Sequence, residues 1–255
     1  MIKKLLTPRW LIVHTIVLLA LIGLVNLGLW QLRRLEQRQA LNASILAGLN
    51  APVTVLTGQA VEPAELQRRR VSVSGTFDNE AAVIILNRPF QGRPGVHLVT
   101  PLRITGSDQA VLVDRGWIPL ADAEAEKWRS YDLSGEVTVN GVAYPGQARP
   151  GGYLALSDPT PAPGQSRLDR WFRIDIERMQ AQLPYPLLPI FVEQSPEAGT
   201  AADDLPRQED NVNITLDQGP HLGYAIQWFS FALILVITYV VFVRQELKRG
   251  AENKS

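Results

Sequence analysis

The chain contains no cysteine. That excludes disulfides, a Cys-x-x-Cys copper or redox site, a Cys-x-x-Cys-His haem attachment and any thiol nucleophile. Histidine is scarce: the 255 residues include 3, at His14, His97 and His221. No His-Glu-x-x-His pair, Gly-x-Ser-x-Gly elbow or phosphate-binding P-loop occurs. An extracytoplasmic hydrolase therefore lacks its nucleophile and base. The 25 Lys and Arg balance the 25 Asp and Glu, so nothing points to nucleic acid as a partner.

Charge is also missing from two long stretches, and there the absence is informative. No charged residue lies between Arg9 and Arg33, or between Asp217 and Arg244. A helix needs about 20 apolar residues to cross a bilayer core, and both runs are long enough. Trp10, Trp30 and Trp228 stand near their ends, where indole rings favour the headgroup region. The first run opens with Lys3, Lys4 and Arg9 like a signal peptide. It is too long for one, and it ends in "WQLRRLEQR" with no small-residue cleavage site. It reads as an uncleaved anchor. Membrane lipid is thus the first expected partner.

Arg244, Lys248, Arg249 and Lys254 follow the second run, while the acidic "DDLPRQEDNVNITLD" precedes it. The positive-inside rule places both termini in the cytoplasm. The expected layout is a cytoplasmic stub over 1–9, a span over 10–32, an extracytoplasmic domain over 33–220, a span over 221–243 and a cytoplasmic tail over 244–255. Entry into the membrane almost at once, without a transit peptide, indicates a bacterial plasma membrane. This layout leaves Arg33, Arg34 and Arg38 on the side where the rule disfavours them, either for function or by snorkelling to lipid phosphates.

About 190 residues lie outside, enough for one domain. "RRLEQRQALNASILAGL" continues the first helix beyond the membrane. "RRVSVSGTF" and "GEVTVNGVAY" alternate as half-buried strands do. "AAVIILNR", "VHLVTPLRI", "QAVLVDRGWIP", "RWFRIDI" and "LLPIFVEQS" read as further strands, "LADAEAEKW" and "ERMQAQL" as short helices. Pro145 to Arg167 reads as a long Pro/Gly loop, and Pro196 to Asn211 as a mobile one. The expected fold is two transmembrane helices flanking a mainly antiparallel β domain, barrel- or sandwich-like, of α+β type.

Within that domain His97 reads as a hydrogen-bonded structural histidine. Arg115 reads as a buried arginine paired with a carboxylate, or alternatively as a ligand-binding one. The acidic run near Asp203 reads as solvated charge rather than a cation site.

Four stretches, "LGLWQLRR", "NRPFQGRPGVHLVTPL", "VLVDRGWIP" and "PHLGYAIQWFSFAL", together resemble the surfeit-locus family of cytochrome oxidase assembly factors, from about residue 27 to 244. The resemblance implies a non-enzymatic factor that handles haem a for the catalytic subunit of cytochrome c oxidase. Haem a synthase is a further implied partner. The chain departs from the family at Asp114, where Asn is usual, and at Pro220, where Asn is frequent. The competing class is a membrane-anchored extracytoplasmic binding or sensor module, but the short cytoplasmic ends leave it no output domain.

The two middle motifs read as architectural: Pro89, Pro94 and Gly95 set a turn, Gly116 admits a close neighbour, and Trp117 is a buried plate. The outer ends of the two spans carry the expected site. His221, Tyr224 and Trp228 recur at helical spacing, and Phe231 extends their face. His221 is the expected haem iron ligand, Tyr224, Trp228 and Trp30 flank the porphyrin, and Arg33 or Arg34 meets its propionates. His14 lies about 25 Å from that level along the first helix, too far to be the second ligand. The plainer reading makes His221 a helix cap and Tyr224 and Trp228 part of an aromatic belt.

Overall fold

The computed structural model describes residues 6–147, 167–197, 199–201 and 204–252. The Pro/Gly loop expected from Pro145 to Arg167 lies almost wholly outside them. The chain forms two compact units, residues 1–44 with 216–255, and residues 45–215.

The first unit is a pair of long helices, α1 (Pro8–Asn50), whose last turns count with the second unit, and α5 (His221–Glu252). Both are long and apolar enough to cross a membrane, and the expected spans fall inside them. The first helix does continue through "RRLEQRQALNASILAGL", with no break at the expected membrane edge. The two pack along one narrow seam. On α1 the less exposed positions include His14, Val17, Leu21, Leu24, Gly28 and Gln31. On α5 they include His221, Ala225, Trp228, Ala232, Leu235 and Tyr239. The intervals alternate between four and three, as along a coiled-coil seam. Small residues bring the backbones close: Ala225 and Ala232 are buried, and a Cβ at Gly28 would stand 2.6 Å from the Phe229 ring.

The second unit is a β-barrel with additions. Its strands are β1 (Thr54–Leu56), β2 (Arg70–Phe77), β3 (Val83–Ile85), β4 (Gly95–Ile104), β5 (Ala110–Pro119), β6 (Glu136–Pro145), β7 (Arg170–Trp171) and β8 (Leu187–Gln194). They run β1-β2-β6-β8-β5-β4-β3-β7, and a further pairing of β2 with β4 closes a ring through β6, β8 and β5. Alternation in β2 and β6 buries Val71, Val73 and Val139 inside the ring with Leu102, Val111, Val113 and Ile190. Outside it, Trp171, Ile174 and Met179 form a second cluster, and Ile84, Leu98, Ile118 and Trp128 a third.

The architecture is mainly antiparallel, but β1–β2, β3–β7 and β5–β8 pair in parallel. Three local expectations change. "RWFRIDI" is extended only at Arg170–Trp171. Trp171 drops into the second cluster, and Asp175 then caps α4 (Ile176–Gln180) by accepting from the Arg178 amide. "LADAEAEKW" is not one helix but a 3-10 turn, Leu120–Asp122, then α3 (Ala125–Trp128). Burial of Trp128 and a Tyr131 hydroxyl bond to Asp122 at 2.7 Å bend the chain there. β1 and α2 (Pro63–Leu66) were not foreseen.

Candidate functional site

The middle of α1 and the first turns of α5 supply the parts of a polar constellation. The chain entering α5 is tied to α1. Arg38 Nε and Asn42 Nδ2 both donate to the Asp217 carbonyl at 3.2 Å, and Gln39 donates to Gln218 at 3.2 Å. Arg38 therefore has a structural task.

The tether sets His221 over the seam. Its Nδ1 lies 2.8 Å from Gln31 Oε1, and Gln31 is buried. An amide oxygen only accepts, so Nδ1 donates, and in the neutral imidazole that leaves the lone pair on Nε2. Gly219, on the incoming chain, sits at φ +74. A Cβ there would stand 3.3 Å from Nε2 and 3.2 Å from Cδ2. A side chain at position 219 would crowd that edge of the ring; glycine does not.

Tyr224 is exposed, and Trp228, half-buried, meets Phe231 edge-on at 6.0 Å. On α1, Trp30 is exposed with the Arg34 guanidinium 5.5 Å above its ring. Arg34 also donates to Gln37 at 3.2 Å, and among the described residues it meets no carboxylate. Arg34 is three residues past Gln31 and so on a neighbouring face. Arg33, two past it, points elsewhere. The structure thus joins His221 to Gln31 and Trp30 to Arg34, and leaves Arg33 apart.

His14 is engaged at the far end of the same pair. Its Nδ1 bonds the Tyr239 hydroxyl; Trp10 packs on the His14 ring and Phe242 on the Trp10 ring, each pair of centroids 5.7 Å apart. The sequence reading named neither Gln31 as the partner of His221 nor Tyr239 as that of His14. The four-three spacing of the seam was the signal that places both.

In the barrel unit the two middle motifs form one body. A bulge in β5 slips the register so that Leu98 faces Gly116 and Val99 faces Asp114. Gly116 sits at φ +117, and a Cβ on it would lie 2.3 Å from the Arg207 carbonyl. Trp117 and Arg207 exchange backbone hydrogen bonds at 2.8 and 2.7 Å across that gap. Arg207 to Asn211, expected to be mobile, is therefore pinned; buried Asn211 bonds the Glu193 carbonyl at 2.9 Å and Ser195 Oγ at 2.6 Å. Trp117 Nε1 donates to the Arg88 carbonyl at 2.8 Å, and Phe90 packs on the ring at 5.7 Å.

His97 is the structural histidine expected: Nδ1 donates to Asp114 at 2.8 Å. Burial alone would lower its pKa, but the hydrogen bond and charge of Asp114 outweigh it, and the net shift is upward. Glu193, cross-strand from Asp114, is pushed up to about 6 by burial and then by the Asp114 charge. Arg115 is buried, but its partner is not a carboxylate. It donates to the Tyr131 carbonyl at 2.5 Å and lies 4.9 Å above the Phe77 ring. Burial lowers its pKa to about 10, against the pull of Asp132. No cluster of His, Asp and Glu fit for a metal ion occurs among the described residues.

A family model described as "SURF1 family" matches residues 18–233. Proteins named SURF1-like protein are similar to nearly the whole chain. One from Monosiga brevicollis is 27% identical over 240 residues, covering 90% of this chain and 85% of that protein. One from Rickettsia bellii is 27% identical over 246 residues, 94% of each. One from Drosophila melanogaster is 27% identical over 240 residues, 88% of this chain and 74% of that protein. The matched interval contains Gln31, the two barrel motifs and His221 to Trp228, but neither His14 nor Tyr239.

Proposed function

This chain belongs to the SURF1 family, and from that premise we propose that it is a non-catalytic assembly factor for haem-copper cytochrome c oxidase. It holds haem a where α5 begins, beside Gln31 in the middle of α1, for delivery to the catalytic subunit, with haem a synthase as the source. It sits in a bacterial plasma membrane with both termini cytoplasmic and the barrel outside. One observation carries the reading. His221 is oriented by Gln31 through Nδ1, and glycine at 219 leaves the Nε2–Cδ2 edge of its ring uncrowded.

Haem supplies an iron that takes axial ligands and two propionate carboxylates. The residues present fit one such ligand. A neutral imidazole with its other nitrogen bound to an oxygen is the arrangement in which histidines are held toward a metal. Trp228, Phe231 and Tyr224 line the same flank of α5 with apolar and aromatic surface. Arg34, which meets no carboxylate among the described residues, suits a propionate. Of the other two histidines, His14 holds Tyr239 and His97 holds Asp114. The chain thus commits one histidine, and a single contact suits a carrier that must release its cargo.

The test is genetic and spectroscopic. Deleting the gene should lower the haem a absorbance of cytochrome oxidase in membranes, and the wild-type chain should restore it. Gln31→Leu, which leaves His221 in place but unoriented, should restore it only in part. Full oxidase in the deletion strain would refute the reading.

A further inference from the structure

The seam with α5 uses one face of α1. Leu19, Gly23, Asn26 and Trp30 recur at intervals of four, three and four on the opposite face, and all four are exposed. Three of these suit lipid; Asn26 does not. It is an amide inside the uncharged run between Arg9 and Arg33. One of its N–H groups donates to the Ile22 carbonyl on its own helix at 2.8 Å. Its second N–H and its carbonyl oxygen reach no other described residue, and hydrocarbon offers no partner for either. Gly23, one turn earlier, has nothing within 4 Å of the place a Cβ would take, so the backbone is bare beside the amide.

We propose that this face packs against the same face of a second copy of the chain, α1 along α1, with the two Asn26 amides hydrogen-bonded to each other. Self-pairing follows from the chemistry. An amide is both donor and acceptor, so two identical amides related by a two-fold axis satisfy each other. Two copies inserted with one topology also hold Asn26 at one depth and their α1 helices parallel. A helix of different sequence would need its own polar group at that depth. The bare backbone at Gly23 lets the helices come close enough for so short a side chain to bridge them.

Because the chain lacks cysteine, single cysteines report the contact directly. Full-length protein carrying Leu19→Cys or Gly23→Cys, oxidised in phosphatidylethanolamine–phosphatidylglycerol vesicles, should form disulfide dimers. Leu21→Cys and Leu24→Cys, on the α5 seam, should not. In the same vesicles, energy transfer between labelled copies, followed as lipid dilutes the protein, gives the association constant. Asn26→Leu should weaken it about tenfold, and Asn26→Gln, which keeps the amide, should weaken it much less. Wild-type protein that stays monomeric at every protein-to-lipid ratio overturns the proposal, as does a dimer indifferent to Asn26→Leu or cross-linked through the seam positions. If the pure protein is monomeric and Asn26→Leu still lowers oxidase assembly in cells, the face belongs to another membrane protein, and self-association is overturned.

Discussion

Glu193→Gln should change how the barrel's stability responds to pH. Glu193 lies on β8 opposite Asp114, which also accepts from His97. Burial and the neighbouring carboxylate raise its pKa from 4.5 to about 6. A group whose folded pKa is raised contributes stability that is fully present below its unfolded value and lost as pH rises through its folded value. Wild-type protein should therefore lose about 2 kcal/mol from this residue between pH 4.5 and pH 7, at 1.36 kcal/mol per unit. Glutamine has the same shape and no charge, so the variant lacks that loss. For a unit of this size the gap between variant and wild-type melting temperatures should widen by about 4–8 °C over that range. His97 adds a loss of the same sign at higher pH, but it is present in both proteins and largely cancels in the difference. The assay is tryptophan fluorescence during heating of the full chain in detergent at pH 4.5, 5.5, 6.5 and 7.5. A melting-temperature difference that does not change with pH would refute the assignment of a strained, partly buried carboxylate.

Gly116→Ala should lower stability by about 2–3 kcal/mol, because a Cβ at φ +117 meets the Arg207 carbonyl at 2.3 Å; thermal melting and faster proteolysis near Arg207 would report it. His97→Ala should cost about 1–3 kcal/mol by taking a partner from the Asp114 carboxylate, yet leave oxidase assembly near normal; loss of assembly at an unchanged folded level would show a direct role. A reporter fused after Ser255 should be active only in the cytoplasm, and one inserted between Pro145 and Arg167 only outside; the reverse pattern would overturn the topology.

The membrane helices were legible because length and absence of charge are local properties of the sequence, and so were the strands in which Val71, Val73 and Val139 alternate with polar residues. The parallel pairings were not. β1 and β7 span Thr54–Leu56 and Arg170–Trp171, too short for a period to register, and both lie outside the closed ring, at the two ends of the strand order. The site shows the same division. Spacing grouped His221, Tyr224 and Trp228 in advance. The Gln31 contact, between residues 190 positions apart, depends on how α1 and α5 register against each other. Arg115 looked paired to an acid because a buried guanidinium needs an acceptor, but a carbonyl and the Phe77 ring serve instead.

The central claim is that His221 presents its free nitrogen to haem iron. The most direct test is the absorption spectrum of the full chain purified from cells that make haem a, taken beside His221→Ala and His14→Ala. The account predicts bound haem in the wild type, a reduced spectrum in His221→Ala, and an unchanged one in His14→Ala, whose partner is Tyr239 at the far end of the helix pair. A His221→Ala protein that binds haem as the wild type does and still supports oxidase assembly would contradict it, and would make His221 only the polar cap of α5.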